Sequence, residues 1–319
     1  MWNSALWIKL KGLFISLLCT MESAKSSFPE SAVAEHSVTP RTVLSCDVAI
    51  IGGGGGGMAL LWALAQQGYL DDHRVVLIEP QAKDTHDRTW CFWARTDDPK
   101  LQRLRPCISH QWTEARAEGR IDDLGPYASF QVRSADFYTR VKSELNPKAN
   151  FQWIREAVDS TQNIAGGHIA LGTRNIHAQQ VYDSRISALS ERPPKITLWQ
   201  SFVGWRIRTS KASFLPQRME LMNFEVPQNG ETQFIYFLPT AEDEMLIELT
   251  RFGREHIDAD WGETYLHAWL HRTVGSYEVL ETETGAIPMS QALDASKKKH
   301  PKTAGSIPIG TAAGAVKPT

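Results

Sequence analysis

Cys46-Asp-Val-Ala-Ile-Ile-Gly-Gly-Gly-Gly-Gly-Gly-Met58 is the stretch that decides the fold. An apolar run ending in glycines Gly52 to Gly57 reads as a buried parallel strand entering a tight turn. Met58 to Gln67 follows with helix-forming Ala, Leu, Trp and Gln, and Gly68 is a natural C-terminal stop. Arg74-Val-Val-Leu-Ile-Glu-Pro80 is a second buried strand, so the segment is a β–α–β unit with a right-handed crossover. Within the glycine run, Gly52-x-Gly54-x-x-Gly57 has the spacing of a dinucleotide fingerprint. Gly52 permits the sharp turn, Gly54 lets the backbone approach a pyrophosphate, and Gly57 allows close packing of helix on strand. The helix N-terminus adds unpaired N–H groups and positive dipole. Glu79, at the end of the second strand and about twenty residues on, can accept hydrogen bonds from a ribose. The spacing does not separate NAD from FAD, and a simple glycine-rich loop is the alternative to any nucleotide.

Outward from this unit, Ala135 to Leu145 reads as a helix and Asn175 to Ser184 as a further strand of the nucleotide domain. From Ile196 the texture changes to β-rich runs at Ile196–Thr209, Arg218–Val226, Thr232–Leu238 and Glu244–Phe252. Gln228-Asn-Gly230 and Thr240-Ala-Glu-Asp243 supply turns between them, the Asn-Gly pair being a strong hairpin cue. Asp260–Val274 reads as helical. The expected fold is therefore α/β: a Rossmann-like dinucleotide-binding domain (βαβ, parallel sheet) with an inserted, mostly antiparallel substrate domain. Residues 41–185 plus 300–319 are assigned to the first and 186–299 to the second.

Composition sets the outer limits. With 319 residues, 42% hydrophobic and 22% charged, the chain is an ordinary globular protein of one large or two smaller domains. A formal charge of −2 gives no basic surface for nucleic acid, so none is expected as a partner. Cys19, Cys46, Cys91 and Cys107 have no zinc-ligand spacing; free thiols and no metal are expected. Residues 1–40 are set apart as an extension: a basic, apolar start resembling a short signal peptide or an upstream start codon, then a Ser-, Ala-, Glu- and Pro-rich stretch read as disordered. Lys297-Lys-Lys-His-Pro-Lys302 is a solvated loop or a membrane-surface contact.

Asp87-Arg-Thr-Trp-Cys-Phe-Trp93 is the most specific segment in the chain. It resembles the signature of the lycopene β-cyclase family. Val181-Tyr-Asp-Ser-Arg185, Gln200–Trp205, Phe234–Pro239, Ile247–Thr250, Gly285-Ala-Ile-Pro-Met289 and Ile309–Thr319 agree with that family in order. The resemblance spans 46–319. It implies FAD, used in reduced form with NADPH as electron source, and conversion of lycopene to β-carotene through γ-carotene without net redox change. Because lycopene is dissolved in membranes, it also implies a cytoplasmic enzyme held peripherally at the membrane. By the same resemblance Gly310, Thr311, Ala312 and Gly314 form a second flavin-contacting motif. The chain ends at Thr319 inside that motif, so a C-terminally truncated family member is expected.

Cyclisation needs an acid to protonate a terminal double bond, a dry site and electron-rich surroundings for the resulting cation. Glu248 is the candidate. It lies in the otherwise apolar Met245–Phe252 run, where period two puts Leu246, Thr250 and Phe252 on its face, and burial should let it keep a proton. The resemblance places it at the first glutamate of the plant cyclases' FLEET motif; a strand-edge glutamate facing water or an arginine is the plainer reading. Arg206 stands where some bacterial cyclases carry a glutamate and cannot act as an acid. Glu281 and Glu283 lie before Gly285–Met289 where, by the same resemblance, family members are acidic too; a solvated loop or helix end is the plainer reading. Asp87 and Arg88 are expected to pair beside the flavin or as a structural bridge. Trp90 and Phe92 share one face of an extended strand and Cys91 and Trp93 the other; Trp90, Phe92 and Trp93 are candidates to line a polyene tunnel, with core packing as the alternative. Rival functions are a flavin-dependent monooxygenase, an isoprenoid reductase or an inactive flavin-binding remnant.

Overall fold

The computed structural model describes residues 43–145, 148–164, 167–172, 174–186, 197–211, 213–290 and 306–315. The 1–40 extension with Cys19, the Lys297–Lys302 segment and residues 316–319 of the closing motif lie outside them.

Strand β1 (Val43–Ile51) runs parallel to β2 (Val75–Ile78) on one side and to β11 (Asn175–Asp183) on the other. Beyond β2 lies β8 (Phe151–Ile154), also parallel, and the short β17 (Ile307–Pro308) adds in parallel to the end of β11. The hairpin β9 (Val158–Ile164) and β10 (Gly167–Gly172) extends the sheet antiparallel from the start of β11. The apolar run that marked β1 and β2 is continuous because both faces are covered. Val48, Ile50, Val75 and Leu77 pack under helix α1 (Gly55–Gln66), while Ala49, Ile51, Val76 and Ile78 fill the opposite core. Gly68, at φ 73°, ends α1 and opens the single turn α2 (Tyr69–Asp72). After the turn α3 (Leu101–Leu104), helix α4 (Ser134–Leu145) packs Phe137, Tyr138 and Val141 against Met58, Leu61 and Trp62 of α1.

A second sheet has seven strands in the order β16 (Tyr277–Ser290), β12 (Thr197–Thr209), β15 (Glu244–Gly253), β14 (Thr232–Pro239), β13 (Arg218–Asn223), β5 (Glu114–Ala117) and β6 (Arg120–Asp123). All its neighbours are antiparallel except β13 and β5. Period two divides it cleanly. Val203, Ile207, Ile235, Met245, Ile247 and Leu249 face helix α5 (Ala259–Thr273), meeting its Leu266, Trp269 and Leu270. The other face, with Phe234, Tyr236, Leu238 and Leu246, meets Trp112, Cys91 and Trp93. These belong to a third, three-stranded antiparallel sheet ordered β3 (Thr89–Arg95), β7 (Tyr127–Arg133), β4 (Ile108–Trp112).

Two boundaries differ from the sequence reading. Strands β5 and β6 fall within 41–185, yet they extend the second sheet, which is therefore built from two stretches of chain and not from 186–299 alone. The reason is local: buried Trp112 at the end of β4 donates its indole N–H to the Pro239 carbonyl at 2.7 Å, delivering the following residues to the open edge of β13. Residues 277–290, read as holding an acidic loop, form a 14-residue strand along β12. The Asn-Gly cue is kept: Asn229 and Gly230 have φ of 49° and 79°, and Glu231 N–H donates to Gln228 O at 2.8 Å, a turn of the primed type.

Candidate active site

The glycine run forms the nucleotide end of the site. Gly52 sits at φ 91°, and a Cβ there would stand 2.1 Å from Ser184 Oγ. A Cβ on Gly57 would lie 1.9 Å from the Gly52 carbonyl oxygen, so only glycine lets α1 start this close to β1. Gly54 is different: a Cβ there meets nothing within 4 Å, leaving the backbone open to an approaching group. Buried Glu79 accepts Gly53 N–H at 2.8 Å on one carboxylate oxygen and Gln81 N–H at 2.9 Å on the other. A carboxylate has about four acceptor positions, so about two remain for hydroxyls. Gly310, at φ 58°, begins the single turn Gly310–Ala313, which carries Thr311 and buried Ala312 and closes at Gly314. Its Cα stands 3.0 Å from the point where a Cβ of Gly56 would be, so the two glycine-bearing segments converge although some 250 residues separate them.

Asp87–Trp93 is the wall between this end and the second sheet. Trp90 and Phe92 turn toward the nucleotide-domain core; the Trp90 ring lies 3.0 Å from where a Cβ of Gly55 would stand and meets Phe137 and Tyr138 edge-on. Cys91 and Trp93 turn the other way, onto the second sheet. Of the three aromatic residues expected at a polyene, only Trp93 shares a face with the carboxylates described next. The Asp87–Arg88 pair expected above gives way to other partners. Asp87 binds Lys83 at 2.8 Å and Tyr138 OH at 3.1 Å, which with the Ser134 hydrogen bond hold its carboxyl below the usual range against the effect of burial. Arg88 instead donates to its neighbour's carbonyl and across to Thr284 O at 3.1 Å, clamping the wall onto β16. The separation is steric: adjacent residues of an extended chain point to opposite sides.

At the centre of the second sheet, Gly204 of β12 pairs with Glu248 of β15 on one side and with Glu283 of β16 on the other. Cross-strand partners share a face, so both carboxylates lean over the bare glycine. Their Cγ atoms lie 3.6 and 3.1 Å from the point where a Cβ on Gly204 would stand. Thr250, fully buried, donates its hydroxyl to Glu248 at 2.7 Å. Thr89 donates to Glu283 at 3.0 Å, and His86 Nε2 lies 3.5 Å from the same oxygen. Burial first, and then the charge of Glu283, push the Glu248 carboxyl up to about 8, outweighing the Thr250 bond that favours the anion. The residue is not wholly closed to solvent, yet its carboxyl is walled in by Cys91, Thr250 and Glu283. The Cys91 thiol is likewise pushed up, by burial and then by the two glutamates, and stays neutral. Below this row a cleft lined by His86, Thr89, Gln131, Arg133, Arg206, Glu281 and Glu283 encloses about 20 Å³, room for one water.

The sequence reading found Glu248 and missed the pair. A signal for Glu283 lay in the β-branched Thr282 and Thr284 beside it, which favour a strand over a loop. Arg206 is committed to ion pairs with Glu244 at 2.7 Å and Glu281 at 3.1 Å, in keeping with its having no acid role.

A parallel-sheet dinucleotide fold with a large, mostly antiparallel sheet beyond the Asp87–Trp93 wall is the flavoprotein type of architecture, and solved structures agree. A geranylgeranyl bacteriochlorophyll reductase-like protein from Thermoplasma acidophilum superposes with a TM-score of 0.57 at 15% identity, covering 85% of this chain and 72% of that one. A flavoprotein/dehydrogenase from Cytophaga hutchinsonii gives 0.55 at 14% identity, covering 83% and 71%. Residues 47–319 match the family model described as lycopene cyclase protein; the chain belongs to the lycopene cyclase family. Two curated relatives are both called lycopene beta-cyclase. That of Paracoccus sp. (strain N81106 / MBIC 01143) is 27% identical over 257 residues, and that of Pseudescherichia vulneris 25% over 270. The matches take in 80% and 78% of this chain but 64% and 63% of those proteins, so the chain spans less than two thirds of their length.

Proposed function

We propose that this chain carries the catalytic core of a lycopene β-cyclase, an isomerase that closes β-ionone rings on a linear carotenoid by way of γ-carotene. The observation that carries this reading is Glu248: a carboxyl kept protonated near neutrality, walled in by Thr250, Cys91 and Leu246 directly beneath the family's most specific segment. Its Oε proton is available for transfer to a terminal double bond. Thr250 fixes the carboxyl's orientation, and Phe202, whose ring lies 2.5 Å from where a Cβ of Gly285 would be, covers the next row of the sheet. Around the Glu248 carboxyl itself, Leu246, Thr250 and Cys91 leave little room for the water that would trap a carbocation.

The residues present fit a flavin dinucleotide. Glu79 has spare acceptor positions for a ribose, Gly54 leaves the backbone open for a pyrophosphate, and Gly310–Gly314 closes the opposite wall. When bound in reduced form, with NADPH as the electron source, FAD supplies negative charge to stabilise the cation without being consumed. Uptake of lycopene at a membrane surface, from the cytoplasmic side, belongs to the same reading. No helix among the described residues is long and apolar enough to cross a membrane.

Expression in lycopene-producing cells tests the whole proposal: γ- or β-carotene is expected by pigment analysis, and unchanged lycopene from flavin-loaded protein would falsify it. Flavin affinity gives a separate check. Glu79→Ala removes the acceptor of two buried N–H groups as well as the ribose contact, so FAD affinity measured by fluorescence titration should fall about 10- to 100-fold.

A further inference from the structure

The two carboxylates differ in their surroundings, and the difference assigns them different tasks. Glu248 is surrounded by Leu246, Thr250 and Cys91, with a single hydroxyl donor. Glu283 receives the Thr89 hydroxyl and has His86 beside it, and His86 in turn lies 3.3 Å from Ser134 Oγ. More polar groups thus gather on Glu283 than on Glu248. Between them stands only Gly204, whose missing side chain leaves the gap open. Apart from His86, which lies on the far side of Glu283 between Thr89 and Ser134, the other groups near the pair are unsuited to accept a proton. Arg133 and Arg206 hold the Glu281 carboxyl below the usual range and occupy both its oxygens, and the Cys91 thiol is neutral and already protonated.

We propose that Glu283 is a second catalytic residue: it is the base that removes the ring proton, and it returns that proton to Glu248 across Gly204. The proposal rests on the cyclase reading. In the first step the O–H bond of Glu248 breaks, and the π pair of the terminal double bond takes the proton, leaving a tertiary cation. The neighbouring double bond then donates its pair to form the ring C–C bond, which moves the cation into the ring. A C–H bond next to that centre breaks, its pair becomes the ring double bond, and the proton passes to the Glu283 carboxylate. At that point Glu248 is ionised and Glu283 protonated, and transfer between them restores the starting state. No oxidant, reductant or water enters the balance, as an isomerisation demands. Glu283 also fixes the outcome, because the position of the base selects which proton leaves and hence which ring isomer forms.

The test compares Glu283→Gln and Glu283→Asp with the parent in flavin-loaded full-length protein, using lycopene in liposomes and chromatography of the products. The expected result is a cyclisation rate lowered about 10²-fold or more in the Gln variant and partly restored in the Asp variant, with bound flavin and melting temperature unchanged in both. Residual product of the Gln variant should be enriched in rings with a displaced double bond or an added hydroxyl, which a structural role would not produce. Gly204→Ala, which places a methyl group between the carboxyls, should slow turnover too. The proposal is overturned if Glu283→Gln cyclises within about threefold of the parent, or if its loss is not restored at all by Asp. A parent protein that leaves lycopene unchanged fails at the earlier step and refutes the cyclase reading itself.

Discussion

Glu248→Gln is expected to abolish ring closure while leaving a folded, flavin-binding protein that is more stable than its parent at alkaline pH. Gln keeps the shape and can still accept the Thr250 hydrogen bond, but it has no proton to give, so a loss of about 10²- to 10⁴-fold in rate should follow. The stability effect has the opposite sign. The Glu248 carboxyl titrates near 8 in the folded chain and at about 4.5 when exposed, so between those values the folded state holds a proton that the unfolded state has lost. Stability of the parent therefore falls as pH rises across that window, by up to about 1.4 kcal/mol per pH unit, and the penalty is complete above about 8. The Gln variant lacks this slope. Denaturant melts of the two proteins at pH 5, 7 and 9 should diverge progressively, the parent losing on the order of a few kcal/mol relative to the variant. Activity of the parent should be lost above about pH 8 as Glu248 ionises. Parallel melts at all three values would show that Glu248 meets water freely and would remove the basis for its acid role.

The second large effect concerns the glycine run. Gly57→Ala should unfold the nucleotide end: its Cβ would stand 1.9 Å from the Gly52 carbonyl oxygen and 3.3 Å from Ile50 Cγ2, and the first of these is backbone that has no room to move. A cost of about 3 kcal/mol or more is expected, with bound flavin lost and a clear fall in melting temperature. Gly54→Ala is the contrasting case. Residue 54 has extended backbone at φ −75°, which Ala adopts freely, and its Cβ would meet no protein atom within 4 Å. It should therefore melt like the parent and yet bind flavin much more weakly, because the methyl group occupies space reserved for the ligand. Equal affinity in Gly54→Ala and the parent would mean that the open face of this loop holds no pyrophosphate.

How far these expectations were legible in the sequence depends on the range of the interactions involved. The β1–α1–β2 unit was readable because its determinants are neighbours: an apolar run, a turn that only glycine can make, and a helix stopped at Gly68. Glu248 was readable as well, since an ionisable residue in an apolar strand raises the question of its charge state without further information. The reading failed where a side chain's fate depended on distant partners. Asp87 and Arg88 are adjacent in sequence but part company to Lys83 and to Thr284, nearly two hundred residues away in the latter case. Strands β5 and β6 carry little apolar pattern of their own and are drawn into the second sheet by the Trp112 anchor and the free edge of β13.

The amino-acid sequence by itself determined the dinucleotide fold, the antiparallel texture of the second half and the place of one carboxyl, Glu248, in an apolar strand. These follow from local propensity and periodicity, which act over a few residues. Only the tertiary structure decided that Glu248 has a partner. Glu283 lies 35 positions further along the chain, and it meets Glu248 because β12 inserts between their strands with a glycine at the one register position where both side chains can cross. Register is a property of paired strands and not of either strand alone. A shift of one residue would have turned both carboxylates to the opposite face, into the core beneath α5, with no Thr89 or Cys91 to meet them.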